Sequence, residues 1–456
     1  MAGNISNKKF SFTAVLRWAV LIFAVWPALY TKSVAADEPF TMPANKLPQE
    51  IQGEIDVWAW NIAAGSLQKL LPEFNEKYPH IKVNISKTGW QVQSRLLLSL
   101  SAGVGAPDIT QLLVTETQRY TSTGRLMDLT SVAGKYEKDF VPSYWQNCLY
   151  DGKVCAMPWD FGPCAIFYKR HIFKKYDVDP NKIETWDDYI EAGKVIFEKS
   201  NGKTKMFHLP IGMLYEMFLI VLQQNGGQVF DEQGRVAVNS DISLKVINLL
   251  KKMLDAGITV NDPLYQHAHY ASLRGETPAT YPMGAWWGGT TKDYAPETAG
   301  DWGVFRLPAM EKGGLRASSS GGSVLVIPDQ CKNKEATWAF VEFALCNTKS
   351  QIEHYKNFDL FPAWLPAYQD PFFDEPDPFF GGQKVRRLFA QDIEKIPPLN
   401  RTKDWPEAQA YLAQSLTSWA SRGMVNPEKM LAELEKKLCR RLNRQPAPSS
   451  LSLRKD

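Results

Sequence analysis

Trp159 and Asp160 are adjacent within residues 152–170, GKVCAMPWDFGPCAIFYKR. An indole beside a carboxylate offers an apolar ring face and paired acceptor oxygens in one place. A polyol such as a sugar needs both, since the ring covers its C–H face and the carboxylate takes its hydroxyl protons. The plainer alternative is a core Trp next to a strand-end Asp. Asp160 with Glu116 would also supply the two carboxylates of a glycoside hydrolase. Against an enzyme, the chain has no GxSxG, HExxH or phosphate-loop pattern.

Other chemistry-bearing types are sparse. His267-Ala268-His269 is a close His pair on an expected loop, and no Cys/His spacing fits a zinc finger, so neither a metal nor a cofactor is expected. Several cleft carboxylates would be needed for a polyamine, whereas Trp and amides predominate. Cys148 and Cys155 flank Tyr150-Asp151-Gly152-Lys153, a hairpin turn signal that sets them opposite each other. A disulfide between them is possible in an exported protein, although such a turn can give a hydrogen-bonded pair, which suits the bond less. Sequence alone assigns no partner to Cys164, Cys331, Cys346 or Cys439.

These residues need elements to hold them. Residues 54–60 alternate as a strand with Ile55, Val57 and Ala59 on one face. Ser66 is a candidate cap for a helix with Leu67, Leu70, Leu71, Phe74 and Tyr78 on one stripe, closed by Pro79. A strand over 81–85, a helix over 92–100 and a strand over 108–114 follow. Strand–helix–strand–helix–strand predicts an α/β fold with a parallel sheet flanked by helices. In such sheets ligands sit beyond the strands' carboxyl ends. Those ends here carry Trp60-Asn61, Trp90, Gln111 and Glu116. Further on, Thr185 and Asp188 form a capping box, Ser240 caps another helix, and Asn426-Pro427 opens a last amphipathic one.

Residues 1–36 have the layout of a secretory signal peptide. Lys8 and Lys9 precede an apolar run over 18–30, and Ser33-Val34-Ala35-Ala36 offers cleavage near Ala35/Ala36. The full chain carries 52 basic and 49 acidic residues, net +3. The leader removes Lys8, Lys9, Arg17 and Lys32 and no acid, leaving 48 against 49, net −1. A nucleic-acid partner is not expected of such a body. About 400 remaining residues exceed one ordinary core, so two lobes are expected. The segment 445–456 reads as a disordered tail.

In order, the EIDVWAW strand, EFNEKYPHIKV, GAPDITQL, YTSTGRLMDLT, the 152–170 segment, TWDDYIEAGK, RGETPATYPMGAWWG, WGVFRLP and SSSGGSVLVIP resemble an extracellular solute-binding protein of the sugar type, the periplasmic receptor of an ABC importer. The resemblance implies a two-lobe type II fold, each lobe a mainly parallel sheet flanked by helices. Residues 50–156 and 284–325 would form lobe 1, and 157–283 and 326–442 lobe 2. Hinge crossings would fall near 154–158, 279–283 and 323–326. It implies a carbohydrate ligand, a membrane permease as partner, a periplasmic monomer and no catalysis. Its ligand contacts fall on Trp60, Asn61, Gln111, Trp159, Asp160, Trp286, Trp287, Gly288, Gly321 and Gly322, with Tyr215 and Trp405 as additional stacking rings.

Overall fold

The structure, a computed structural model, describes residues 39–448 except Trp90 and, for Asn61, the side chain. The expected leader and residues 449–456 lie outside that range. Residues 445–447, expected within the disordered tail, instead pair through the backbone: the Val236 N–H donates to Gln445 O (2.9 Å) and the Ala447 N–H to Val236 O (2.7 Å).

β1 (Gly53–Ala59) buries Ile55, Val57 and Ala59 and exposes Glu54 and Asp56. It pairs in parallel with β2 (Ile81–Lys87) and β3 (Ile109–Leu113). The helix between β1 and β2 is Asn61–Lys77. It begins before Ser66, whose buried hydroxyl donates to Ala63 O (3.0 Å) rather than capping. Leu67, Leu70 and Phe74 form its buried stripe.

A short hairpin, β4 (Leu149–Tyr150) and β5 (Lys153–Val154), leads into β6 (Met157–Lys169), a 13-residue strand. The first half of β6 pairs with β11 (Ser319–Val326), which also pairs with β3. Its second half lies between β9 (Thr280–Gly284) and β10 (Trp302–Arg306). All four of these pairings are antiparallel, so the sheet is mixed, not mainly parallel as expected. The remaining strands, β7 (Phe207–His208) and β8 (Thr259–Val260), form a separate parallel pair. The hand-over on β6 falls at Pro163–Cys164, beyond the expected crossing at 154–158.

At that hand-over β6 and β11 approach very closely. A Cβ on Gly162 would stand 2.0 Å from Ser320 O. β11 bulges opposite it, with Gly321 at φ +81° and Gly322 at φ +102°, values that favour glycine.

Successive residues of β6 enter different cores: Ala165 and Phe167 one, Cys164, Ile166 and Tyr168 the other. The first core covers β1–β3, β11 and the helices Lys334–Leu345 and Thr348–Phe358. Phe74 meets Phe340 edge-on at 5.1 Å, and Gly65 lies against Phe358. Residues 334–358, expected in lobe 2, therefore pack on the first sheet, while β10, expected in lobe 1, sends Trp302 and Val304 into the first core and Phe305 into the second. The chain crosses between the cores again after β11, and boundaries drawn at three crossings miss this.

The second core gathers the helices Trp186–Lys199, Leu214–Gln224, Asp241–Asp255, Trp405–Ser421 and Pro427–Leu442. Three caps form as the sequence indicates. Thr185 and Asp188 make the capping box, Ser240 Oγ accepts from the Ser243 N–H (3.2 Å), and Asn426 Oδ1 from the Lys429 N–H (3.0 Å). Among the described residues no helix is long and apolar enough to cross a membrane.

Cys148 and Cys155 do face each other, with the Cys155 N–H donating to Cys148 O (3.0 Å), but as free buried thiols and not a disulfide. This is the hydrogen-bonded type of cross-strand pair, in which the backbones stand wider apart. Burial pushes the Cys155 thiol up to about 11 and that of Cys148 further still.

Candidate functional site

Asp160 is half-buried on β6, and its Oδ1 accepts the Ser323 hydroxyl. Ser323 Oγ in turn accepts from Gln111 Nε2 (2.9 Å), and Gln111 Oε1 accepts the Trp60 backbone N–H (3.0 Å). The Tyr144 hydroxyl donates to Ser323 O (3.3 Å). Gly322 makes this packing possible, because a Cβ there would stand 2.3 Å from Tyr144 Oη. Burial raises the Asp160 carboxyl above its usual range, with Ser323 opposing the shift. Trp60, Gln111, Asp160 and Gly322 are thus brought together. Gln111 is buried and spends both ends of its amide inside this chain.

Trp159 does not share a surface with Asp160. Neighbours on a strand point to opposite faces, and Trp159 is fully buried, edge-on to His354 at 5.3 Å. Its sequence adjacency to Asp160 therefore does not make a joint ring-and-carboxylate contact.

A second group surrounds Trp286, which is half-buried. Its indole N–H donates to Ser320 O (3.0 Å), and a Cβ on Gly321 would lie 3.1 Å from that nitrogen. The Tyr265 ring stands 6.2 Å away. Trp287 and Gly288 turn inward instead: Trp287 is fully buried and stacked on His269 at 4.9 Å, and Gly288 lies against Phe380. This is the usual consequence of helical geometry, which sends consecutive residues in different directions.

Beside Trp286, a cavity of about 30 Å³, room for roughly one water, is lined by Glu216, Tyr265, His208, His269 and Ser320 among others. Burial raises the Glu216 carboxyl, with its hydrogen bond to Tyr215 opposing. Tyr215 is half-buried and also bonds Gln409. Burial pulls His208 down to about 4 and His269 to about 3. His269 lies on a short helix, His267–Ala271, not a loop, and its Nδ1 accepts the Tyr265 N–H (3.1 Å). Among the described residues, no group of three or more His, Cys, Asp or Glu is arranged to hold a metal.

The third group is Arg401 with Trp405. Trp405 opens its helix and is buried, and the Arg401 guanidinium lies 5.0 Å from its ring centroid. Arg401 Nη1 donates to Asn147 Oδ1 (3.3 Å) and Leu399 O (3.4 Å). Burial lowers Arg401 to about 10, with Tyr144 and Glu116 opposing. Burial likewise raises Glu116, which stands 3.8 Å from Arg119.

Sequence reasoning passed over Ser323, Tyr144, Tyr265, Glu216 and Arg401. Ser323 had a signal, sitting in the SSSGGS run beside Gly321 and Gly322. The others stand in no such run, and Tyr144 meets Ser323 across 179 residues.

The model of the bacterial extracellular solute-binding protein family matches residues 59–347. The arabinooligosaccharide-binding protein of Bacillus subtilis is 29% identical over 380 residues, covering 80% of this chain and 86% of that protein. Its namesake from Halalkalibacterium halodurans is 25% identical over 370 residues, covering 78% and 82%. Among solved structures, the ABC transporter associated binding protein of B. animalis subsp. lactis in complex with beta-1,6-galactobiose superposes with a TM-score of 0.69 at 26% identity, covering 86% of this chain and 97% of that one. The sugar-binding protein MalE of Xanthomonas citri gives 0.74 at 19% identity, covering 86% and 98%, a likeness of fold.

Proposed function

Because this chain belongs to the bacterial extracellular solute-binding protein family, we propose that it is a carbohydrate receptor that closes around a sugar and delivers it to the permease of an ABC transporter. The family is one of exported binding receptors. In this reading residues 1–36 are the export leader, cleaved near Ala35/Ala36, and the protein is a periplasmic monomer.

One observation carries the sugar assignment. Half-buried aromatic rings, Trp60, Trp286 and Tyr265, accompany half-buried carboxylates, Asp160 and Glu216, at the junction of the two cores. Rings cover the C–H faces of a sugar, and the carboxylates accept its hydroxyl protons. Relatives named for binding arabinooligosaccharides point the same way. Trp60, Asn61, Asp160, Tyr215, Trp286 and Gly321 are the contacts we retain. Gln111 and Gly322 shape the floor. Trp159, Trp287 and Gly288 support it from within the cores.

The two cores correspond to two lobes, with β6 and β11 crossing between them. A ligand touching both sides favours the closed state by contacts the open state lacks. A thermal-shift screen of purified protein against mono- and oligosaccharides tests the reading, since a ligand raises apparent stability by mass action. At least one sugar is expected to raise Tm in a concentration-dependent way. No shift with any sugar, together with a saturable shift with spermidine or a metal ion, would overturn it. Release of monosaccharide from a bound disaccharide would establish an enzyme instead.

A further inference from the structure

Arg401 is half-buried, with its Nε enclosed, and has no ion pair. Among the described residues no carboxylate oxygen lies within 4.0 Å of it. Glu116 acts on it only through space. Its two hydrogen bonds, both from Nη1, are long at 3.3 and 3.4 Å. Its Nε–H is buried and meets no acceptor, and neither does the indole N–H of Trp405, whose ring lies against the same guanidinium. A buried charge is costly unless paired, and a buried donor unless bonded.

The cluster lies where the two cores meet. Asn147 and Tyr144 come from the helix Pro142–Asn147, and Trp405 opens a helix of the second core. Through Tyr144 it adjoins Ser323 and Asp160. It therefore borders the same site but has the opposite need. Around Asp160 the polar groups satisfy one another, whereas around Arg401 two donors and a positive charge are left over.

A neutral hydroxyl would accept one of these bonds and bring a donor of its own. A carboxylate accepts at both oxygens and neutralises a guanidinium, whose planar edge matches it. We propose that the saccharide bound here carries a carboxylate, as in a uronic acid, seated on the Nε–H of Arg401 and the indole N–H of Trp405. This rests on the carbohydrate-receptor reading and narrows its substrate class. Glu116 and Asp160, the nearby acids, are already turned to Arg119 and Ser323.

Isothermal titration with matched disaccharides tests it, pairing digalacturonic acid with galactobiose and glucuronyl-xylose with xylobiose. At least one acidic member is expected to bind about tenfold or more tighter than its neutral counterpart. Its affinity should fall as salt rises from about 0.05 to about 0.5 M. Arg401→Gln should remove the preference, and Trp405→Phe, which keeps a ring and deletes the N–H, should weaken the acidic member several-fold. If Arg401→Gln fails to fold, the salt dependence and Trp405→Phe decide. Neutral members binding as tightly as acidic ones, or an acid preference surviving Arg401→Gln, would overturn the inference and leave the receptor reading intact. Binding of none of the four would overturn the inference, while the receptor reading is decided by the wider thermal-shift screen.

Discussion

The polar groups around Asp160 and those around Arg401 border the same junction, and Tyr144 bonds the first through Ser323 and acts on Arg401 through space. The first group is closed: each bond from Trp60 through Gln111 and Ser323 to Asp160 ends on a partner within the protein. The second is open, with Arg401 Nε and Trp405 Nε1 unmatched. Residue type alone does not separate the two, because Asp and Arg are equally apt to bind sugars.

Substitutions should separate them. The largest effect is expected on the closed side and its backing. Trp159→Ala removes a fully buried ring and should cost roughly 3–5 kcal/mol of stability, read by urea unfolding. A variant as stable as the parent would show that Trp159 is not core. Ser323→Ala strips Asp160 of a donor and Gln111 of an acceptor, which should cost about 1–3 kcal/mol in the ligand-free protein.

Trp286→Ala should weaken sugar binding by about tenfold, about 1.4 kcal/mol, and leave stability less changed than Ser323→Ala does. On the open side, Arg401→Met should leave ligand-free stability unchanged or raise it by up to ~1 kcal/mol, since it deletes a half-buried charge that has no ion pair. A loss as large as that of Ser323→Ala would make the two clusters alike and end the comparison.

The smallest effect near neutral pH comes from His354, behind Trp159. Burial holds its imidazole down at about 4, below the ordinary 6.5. Between those values the unfolded chain binds a proton that the folded one does not, so stability present above pH 6.5 is lost as pH falls toward 4. His208 and His269 act with the same sign. His354→Gln should flatten the unfolding free energy measured across that window.

Much of the first sheet was legible from sequence. Ile55, Val57 and Ala59 alternate cleanly, and the helix stripe from Leu67 to Phe74 has its proper period. β6 was harder, because both its faces are buried and its apolar run shows no alternation. That hid the fact that Trp159 and Asp160 point apart. Trp287 reads as a ligand ring in sequence because a large aromatic near a predicted loop suits a sugar as well as a core, and the structure buries it fully. Arg401 shows only half of its setting in sequence: Trp405 is four residues on, but its partner Asn147 lies 254 residues earlier.

β11 bears on how the protein is made. It completes the sheet between β3 and β6, yet Ser323 follows its partner Gln111 by 212 residues. While the chain is being synthesised, one edge of β3 and the first half of β6 lack this partner until β11 emerges, and such long-range closure is slow. The first sheet is therefore completed only once the chain has been made through Val326.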